Sequence, residues 1–123
     1  MEINDISGEI VDAAIKVHTV LGPGLLESTY EACLMYELIN RGLTVRNQVP
    51  LPIHYEEVVL EVGYRIDLLV ADAVIVELKS VEQIAPIHKA QLLSYLKLSG
   101  KKVGLLINFN VDLLKHGIAR MAN

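Results

Sequence analysis

The chain has 123 residues, 52% of them apolar, and a formal net charge of −4 at pH 7. That length accommodates a single domain over residues 1–123 with a core of its own. The acidic balance excludes a broad electrostatic grip on nucleic acid while leaving room for a small, local phosphate site.

The segment from Ile3 to about Leu21 sets Ile6, Ile10, Ala13, Ala14, Val17 and Leu21 at helical spacing, with Asn4, Asp5 and Ser7 as candidate caps. The acidic start, Met1-Glu-Ile-Asn-Asp5, lacks the basic-then-apolar layout of a secretory signal. No apolar run approaches the ~20 residues that would span a membrane. Gly22-Pro23-Gly24 breaks the first helix, and no Gly-Lys-Ser/Thr follows to make it a phosphate loop. A second helix is expected from about Glu27 to Arg41, with Tyr30, Leu34 and Leu38 on one side and Gly42 as its stop. Tyr30 reads as a core residue whose hydroxyl finds a polar partner. The single cysteine, Cys33, has no partner for an internal disulfide; it reads as a small buried hydrophobe and points to a reducing cytoplasm.

Thr44 to Pro50 alternates as a strand, and Pro50 and Pro52 near its end put it at a sheet edge. Val58 to Val62 is the next strand. Then comes Asp67-Leu-Leu-Val-Ala-Asp-Ala-Val-Ile-Val-Glu77-Leu78-Lys79, two apolar strands joined by a short turn. A turn centred on Asp72 pairs Val70 with Val74 and sets Asp67 opposite Glu77. Directly opposed side chains lie roughly 4.5–5.5 Å apart at Cβ, and Lys79 shares the Glu77 face about 6.6 Å further on. Two carboxylates that close repel unless a cation or a proton sits between them. The pair therefore suits Mg²⁺ or Mn²⁺, hard ions that take one or two carboxylates plus water and substrate phosphate. Lys79 is placed to orient a water or stabilise charge on a phosphate. The competing reading is a hairpin whose charges are merely solvated, which a strand carrying Val74, Ile75 and Val76 makes uncomfortable.

From Pro86 to about Leu98 the pattern is helical again, with Leu92, Tyr95 and Leu96 in period and Gly100 as the stop. Val103-Gly-Leu-Leu-Ile-Asn108 has the length and continuity of a strand buried on both faces. The tail, Val111 to Met121, fits either a short helix or a last strand. The order αα-ββββ-α-β describes an α/β domain with a mixed sheet flanked by helices. The apolar fraction also leaves room for a homo-oligomer interface without locating one. His54, His88 and His116 show no metal-ligand spacing and read as surface residues. Arg65, two before Asp67, reads equally as a phosphate contact or a structural ion pair.

Asp67…Glu77-Leu78-Lys79 resembles the signature of the PD-(D/E)XK nuclease superfamily, with Ile66 standing where that signature has proline. Gln91-Leu-Leu-Ser-Tyr95 is similar to the QxxxY helix motif of its RecB-like branch. Gly24-Leu-Leu-Glu27-Ser-Thr-Tyr30 matches the motif of the GxxExxY proteins. The resemblance runs from roughly Ile10 to Arg120 and includes Gly104-Leu-Leu-Ile-Asn-Phe109. It implies a restriction-endonuclease-like fold, Asp67 and Glu77 as ligands of Mg²⁺ or Mn²⁺, and Lys79 as the catalytic lysine. It further implies Glu27 as an acidic helper of metal or water, and Gln91 and Tyr95 as residues orienting Lys79 or substrate. RecB-like nucleases also use an upstream histidine as a metal ligand; His18 is the candidate here, against a purely structural role.

The expected function is hydrolysis of phosphodiester bonds in nucleic acid, DNA in preference to RNA, by a metal-dependent enzyme that acts through a local site and not at a membrane. The alternative is a nuclease-fold binding or regulatory module with an idle site, which the acidic charge and sparse aromatics favour. A third reading is an enzyme acting on another phosphate-containing substrate.

Overall fold

The computed structural model describes all 123 residues. The chain begins with helices α1 (Ile3–Leu21) and α2 (Glu27–Asn40) and continues through strands β1 (Val45–Pro50), β2 (Ile53–Tyr55), β3 (Val58–Leu60), β4 (Arg65–Val70) and β5 (Val74–Lys79). Helix α3 (Pro86–Ser99), strand β6 (Val103–Asn108), a 3₁₀ turn (Leu114–Gly117) and strand β7 (Ile118–Ala122) complete it. Five strands form one mixed sheet in the order β1-β4-β5-β6-β7. Only β5 and β6 run parallel, and a parallel pair needs a crossover, which α3 supplies. No helix is long and apolar enough to cross a membrane.

The core is divided by the sheet. Ile6, Ile10, Ala13, Ala14 and Val17 of α1 and Tyr30, Leu34 and Leu38 of α2 pack on one face, against Leu68, Val70, Val74, Val76 and Leu78. Leu92, Tyr95 and Leu96 of α3 pack on the other, against Ile66, Leu69, Ile75 and Leu106. The central strands are covered on both sides, so they read as continuous apolar runs. All six residues of β6 are buried, as its composition leads one to expect. Helix α3 lies close to β6: a Cβ at Gly104 would come within 2.8 Å of Leu92 Cδ1.

The sequence leads one to expect four strands between α2 and α3; there are five. Pro50 and Pro52 end β1 at the sheet edge, and Ile53–Tyr55 pairs with Val58–Leu60 as a separate two-stranded hairpin. The tail takes both of its open alternatives in turn, the 3₁₀ turn and then β7, paired antiparallel with β6. It is half-exposed, so its pattern carries no clean period. At the β4–β5 turn, Ala73 N–H donates to the Val70 carbonyl (3.0 Å), and Ala71 and Asp72 both have positive φ, 53° and 52°. This is a type I′ geometry without glycine. Arg46 and Lys101 both reach Asp72 Oδ1 at 3.3 Å and help hold it.

Tyr30 is fully buried, stacked on Phe109 at 4.3 Å between centroids. Its hydroxyl donates to the Gly22 carbonyl (2.6 Å) and accepts from Leu25 N–H (3.1 Å), closing the loop that delivers Glu27. Tyr30→Phe is therefore expected to cost roughly 1–2 kcal/mol, the usual penalty for orphaning polar partners. Chemical denaturation would read it as a lower midpoint at unchanged slope.

Candidate functional site

The register of β4 and β5 (Leu68↔Val76, Leu69↔Ile75, Val70↔Val74) brings Asp67 against Glu77 one rung further on, as the hairpin reading requires. At that rung the carboxylates replace the backbone ladder. Asp67 N–H donates to Glu77 Oε2 (2.8 Å), and Leu78 N–H donates to Asp67 Oδ2 (2.9 Å). Each side chain satisfies an amide of the opposite strand, as an opened sheet interior demands. The strand also changes face here. Ile66 packs with the α3 side and Leu68 with the α1–α2 side, although simple alternation would put them together. Across on β1, Gln48 falls between the rungs Asn47↔Leu68 and Val49↔Ile66 and takes a left-handed φ of 52°.

Glu77 is 5% exposed. Burial first, then the neighbouring Asp67 charge, pushes its carboxyl from an ordinary 4.5 up to about 8, with Glu31 adding to the rise. Asp67 is pushed up too, chiefly by burial; the Leu78 amide, Gln48 and Lys79 oppose the rise. Burial and then the two carboxylates also raise the Tyr95 hydroxyl, which stays a proton donor. No third His, Cys, Asp or Glu joins the pair as a ready-made ligand cluster. A cation there would rest on two carboxylates with water or substrate oxygen completing its shell, a donor set that fits Mg²⁺ or Mn²⁺.

Lys79, Gln91 and Tyr95 come together on the α3 side, lining a cavity of about 610 Å³. Glu27 sits on the far side of the same strand end. Its Oε2 accepts from Ser80 N–H (3.2 Å), and the Ser80 hydroxyl donates to the Leu25 carbonyl (2.7 Å). The site thus lies where the end of β5 is held between the start of α2 and the middle of α3.

His18 is not brought to the carboxylates. It is buried, its Nε2 donates to the Val111 carbonyl (2.8 Å), and its ring lies 6.3 Å from that of Phe109. It fastens α1 to the segment after β6. His88, expected at the surface, is half-buried: its Nδ1 accepts from Ala85 N–H (3.0 Å) at the start of α3. Arg65 is exposed and reaches only the Gln48 carbonyl, at 3.5 Å.

Three residues beside the site escaped the sequence reading. Gln48 Nε2 donates to Glu31 Oε1 (2.6 Å) and to Asp67 Oδ1 (3.4 Å). Glu31 could have been found, since it follows Glu27 by four and shares its helix face. Gln48 could not, because its conformation belongs to the pairing of β1 with β4. Buried Asn108 binds Val81 through both ends of its amide (3.1 and 2.9 Å), fixing the turn after Lys79. A polar residue closing an apolar run was its signal.

A family model described as the PD-(D/E)XK nuclease superfamily matches residues 4–121. No curated protein and no solved structure matches significantly.

The pKa of Glu77 has a measurable consequence. Between pH about 4.5 and about 8 the folded chain holds a proton on Glu77 that the unfolded chain has released. Metal-free stability is therefore expected to fall as pH rises through that window. Glu77→Gln should flatten the decline, as read from denaturation midpoints against pH.

Proposed function

The chain belongs to the PD-(D/E)XK nuclease superfamily, and from that premise we propose that it is a metal-dependent nuclease hydrolysing phosphodiester bonds, in DNA rather than RNA. The observation that carries this reading is the Asp67–Glu77 pair, two desolvated carboxylates each bound to the opposite strand's amide, with Lys79 two residues on. The five-stranded mixed sheet flanked by helices is the restriction-endonuclease-like architecture. Gly24…Glu27…Tyr30 and Gln91…Tyr95 support a finer placement among GxxExxY proteins of the RecB-like branch.

In this reading Asp67 and Glu77 hold Mg²⁺ or Mn²⁺, which when bound supplies Lewis-acid stabilisation of the phosphate and acidifies a water. Lys79 contributes a cation beside the pair, where its charge already draws both carboxyl pKa values downward. From there its ammonium donates to a phosphate oxygen or holds the attacking water. Tyr95 keeps its proton and donates; Gln91, four residues earlier on the same helix face, orients Lys79 or the substrate. Glu27 steadies the strand end through Ser80. Cys33, with no disulfide partner, supports a reducing compartment such as the cytoplasm.

One observation favours a second reading, a binding or regulatory module with an idle site: the net charge of −4, unusual for a protein that meets a polyanion. Cleavage of labelled linear, circular and single-stranded DNA and of RNA, with Mn²⁺ and with Mg²⁺, separates the two. The nuclease reading expects metal-dependent cutting, with kcat lowered about 10²–10³-fold or more in Lys79→Ala. The metal-induced rise in Tm should survive in that variant. No cutting by the wild type on any substrate would leave the module reading.

A further inference from the structure

The cavity beside Lys79 is larger than positioning a lysine requires. At about 610 Å³ it lies in the range of small-ligand sites, roughly 300–1,000 Å³. Its walls come from three parts of the chain: Lys79 at the end of β5, α3, and the segment carrying the β2–β3 hairpin, which gives Ile53 and Tyr64. Three apolar side chains line it while remaining open to solvent, Tyr64 at 45% exposure, Ile87 at 70% and Leu98 at 38%. Tyr64 meets Tyr95 edge-on, at 68° and 6.2 Å between centroids. With 45% of its surface exposed, Tyr64 still offers open ring surface on which a flat partner can stack.

The polar lining has the matching chemistry. Gln91 and Ser94 line the cavity. A carboxamide and a hydroxyl each donate and accept, as the edge of a base does. Lys79 and half-buried His88 are the only basic residues lining the space, so it is not a groove built to follow a phosphate backbone by charge. Stacking on an aromatic side chain is the means by which an unpaired base is held whatever its identity, since every base has a π-face. A base inside a continuous duplex cannot reach such a pocket without leaving the stack.

We propose that this cavity receives an unpaired nucleobase next to the phosphate held at Asp67, Glu77 and Lys79, so that the substrate is a single strand or a frayed end and not an intact duplex. The proposal rests on the nuclease reading for its phosphate and on the cavity for its base. Grip by stacking also accounts for an acidic protein acting on a polyanion: the local site does what surface charge does not.

The test compares wild type, Tyr64→Ala and Tyr64→Phe with Mn²⁺ on a fluorescent single-stranded oligonucleotide and on the same sequence as a blunt duplex. Wild type is expected to favour the single strand by about tenfold or more in kcat/KM. Tyr64→Ala should raise KM for the single strand about tenfold while kcat stays within about twofold, and Tyr64→Phe should restore it. Equal cutting of intact duplex, or an unchanged KM in Tyr64→Ala, overturns the proposal. A second arm does not depend on turnover: titration with deoxyadenosine 5′-monophosphate, watching the Ile53 and Ile87 methyl groups by NMR. Shifts there that vanish in Tyr64→Ala support the pocket even if no substrate is cut, in which case the nuclease reading fails alone. No shift at those methyls overturns the pocket even if the enzyme proves active.

Discussion

A buried carboxylate, Glu77, set against the half-buried carboxylate of Asp67 at the end of an apolar hairpin is the constraint on which the rest of this structure depends. Burying an ionised acid is costly unless it is paired, hydrogen-bonded or neutralised. Asp67 and Glu77 are partly compensated by the two amides they bind across the opened ladder. The remainder appears as the raised pKa of each. The pair cannot relax outward, because β4 and β5 are central strands with helices on both faces. What the fold leaves unsatisfied is a deficit of positive charge, and that deficit is the ground for proposing a cation here.

Around this point the chain supplies stiffness from unlike sources. Tyr30 closes the Gly22–Leu25 loop and sets the start of α2, so that Glu27 can bind Ser80. Asn108 grips Val81 and fixes the turn after Lys79. The bare backbone of Gly104 lets Leu92 approach β6, which brings in the helix bearing Gln91 and Tyr95. Gln48, in a backbone conformation that L residues rarely adopt, reaches Asp67 and Glu31 together. Such strain persists only where the surroundings over-determine it, and it clusters at functional sites.

The parts of this arrangement that were legible in the sequence share one property: they are local. Helix spacing in Ile6–Val17, the proline-marked edge of β1 and the continuous run of β6 all follow from neighbouring residues. So does the opposition of Asp67 and Glu77, because a short turn fixes hairpin register within a dozen residues. What was not legible depends on distant segments meeting. His18 offers a helix-borne imidazole, and its tie to the Val111 carbonyl depends on a segment distant in sequence. The tyrosines at 64 and 95 are far apart in sequence and meet only because α3 crosses back over the sheet.

The central claim, that the Asp67–Glu77 pair is held for a divalent cation, is tested most directly by calorimetric titration with Mn²⁺ at pH 7 in two buffers of different ionisation enthalpy. With Glu77 pushed up to about 8, a cation must displace its proton. Binding should therefore release about one proton per site, and Glu77→Gln should abolish both the binding and the release. Absence of binding at several millimolar Mn²⁺, or binding that releases no proton and survives Glu77→Gln, would contradict the account.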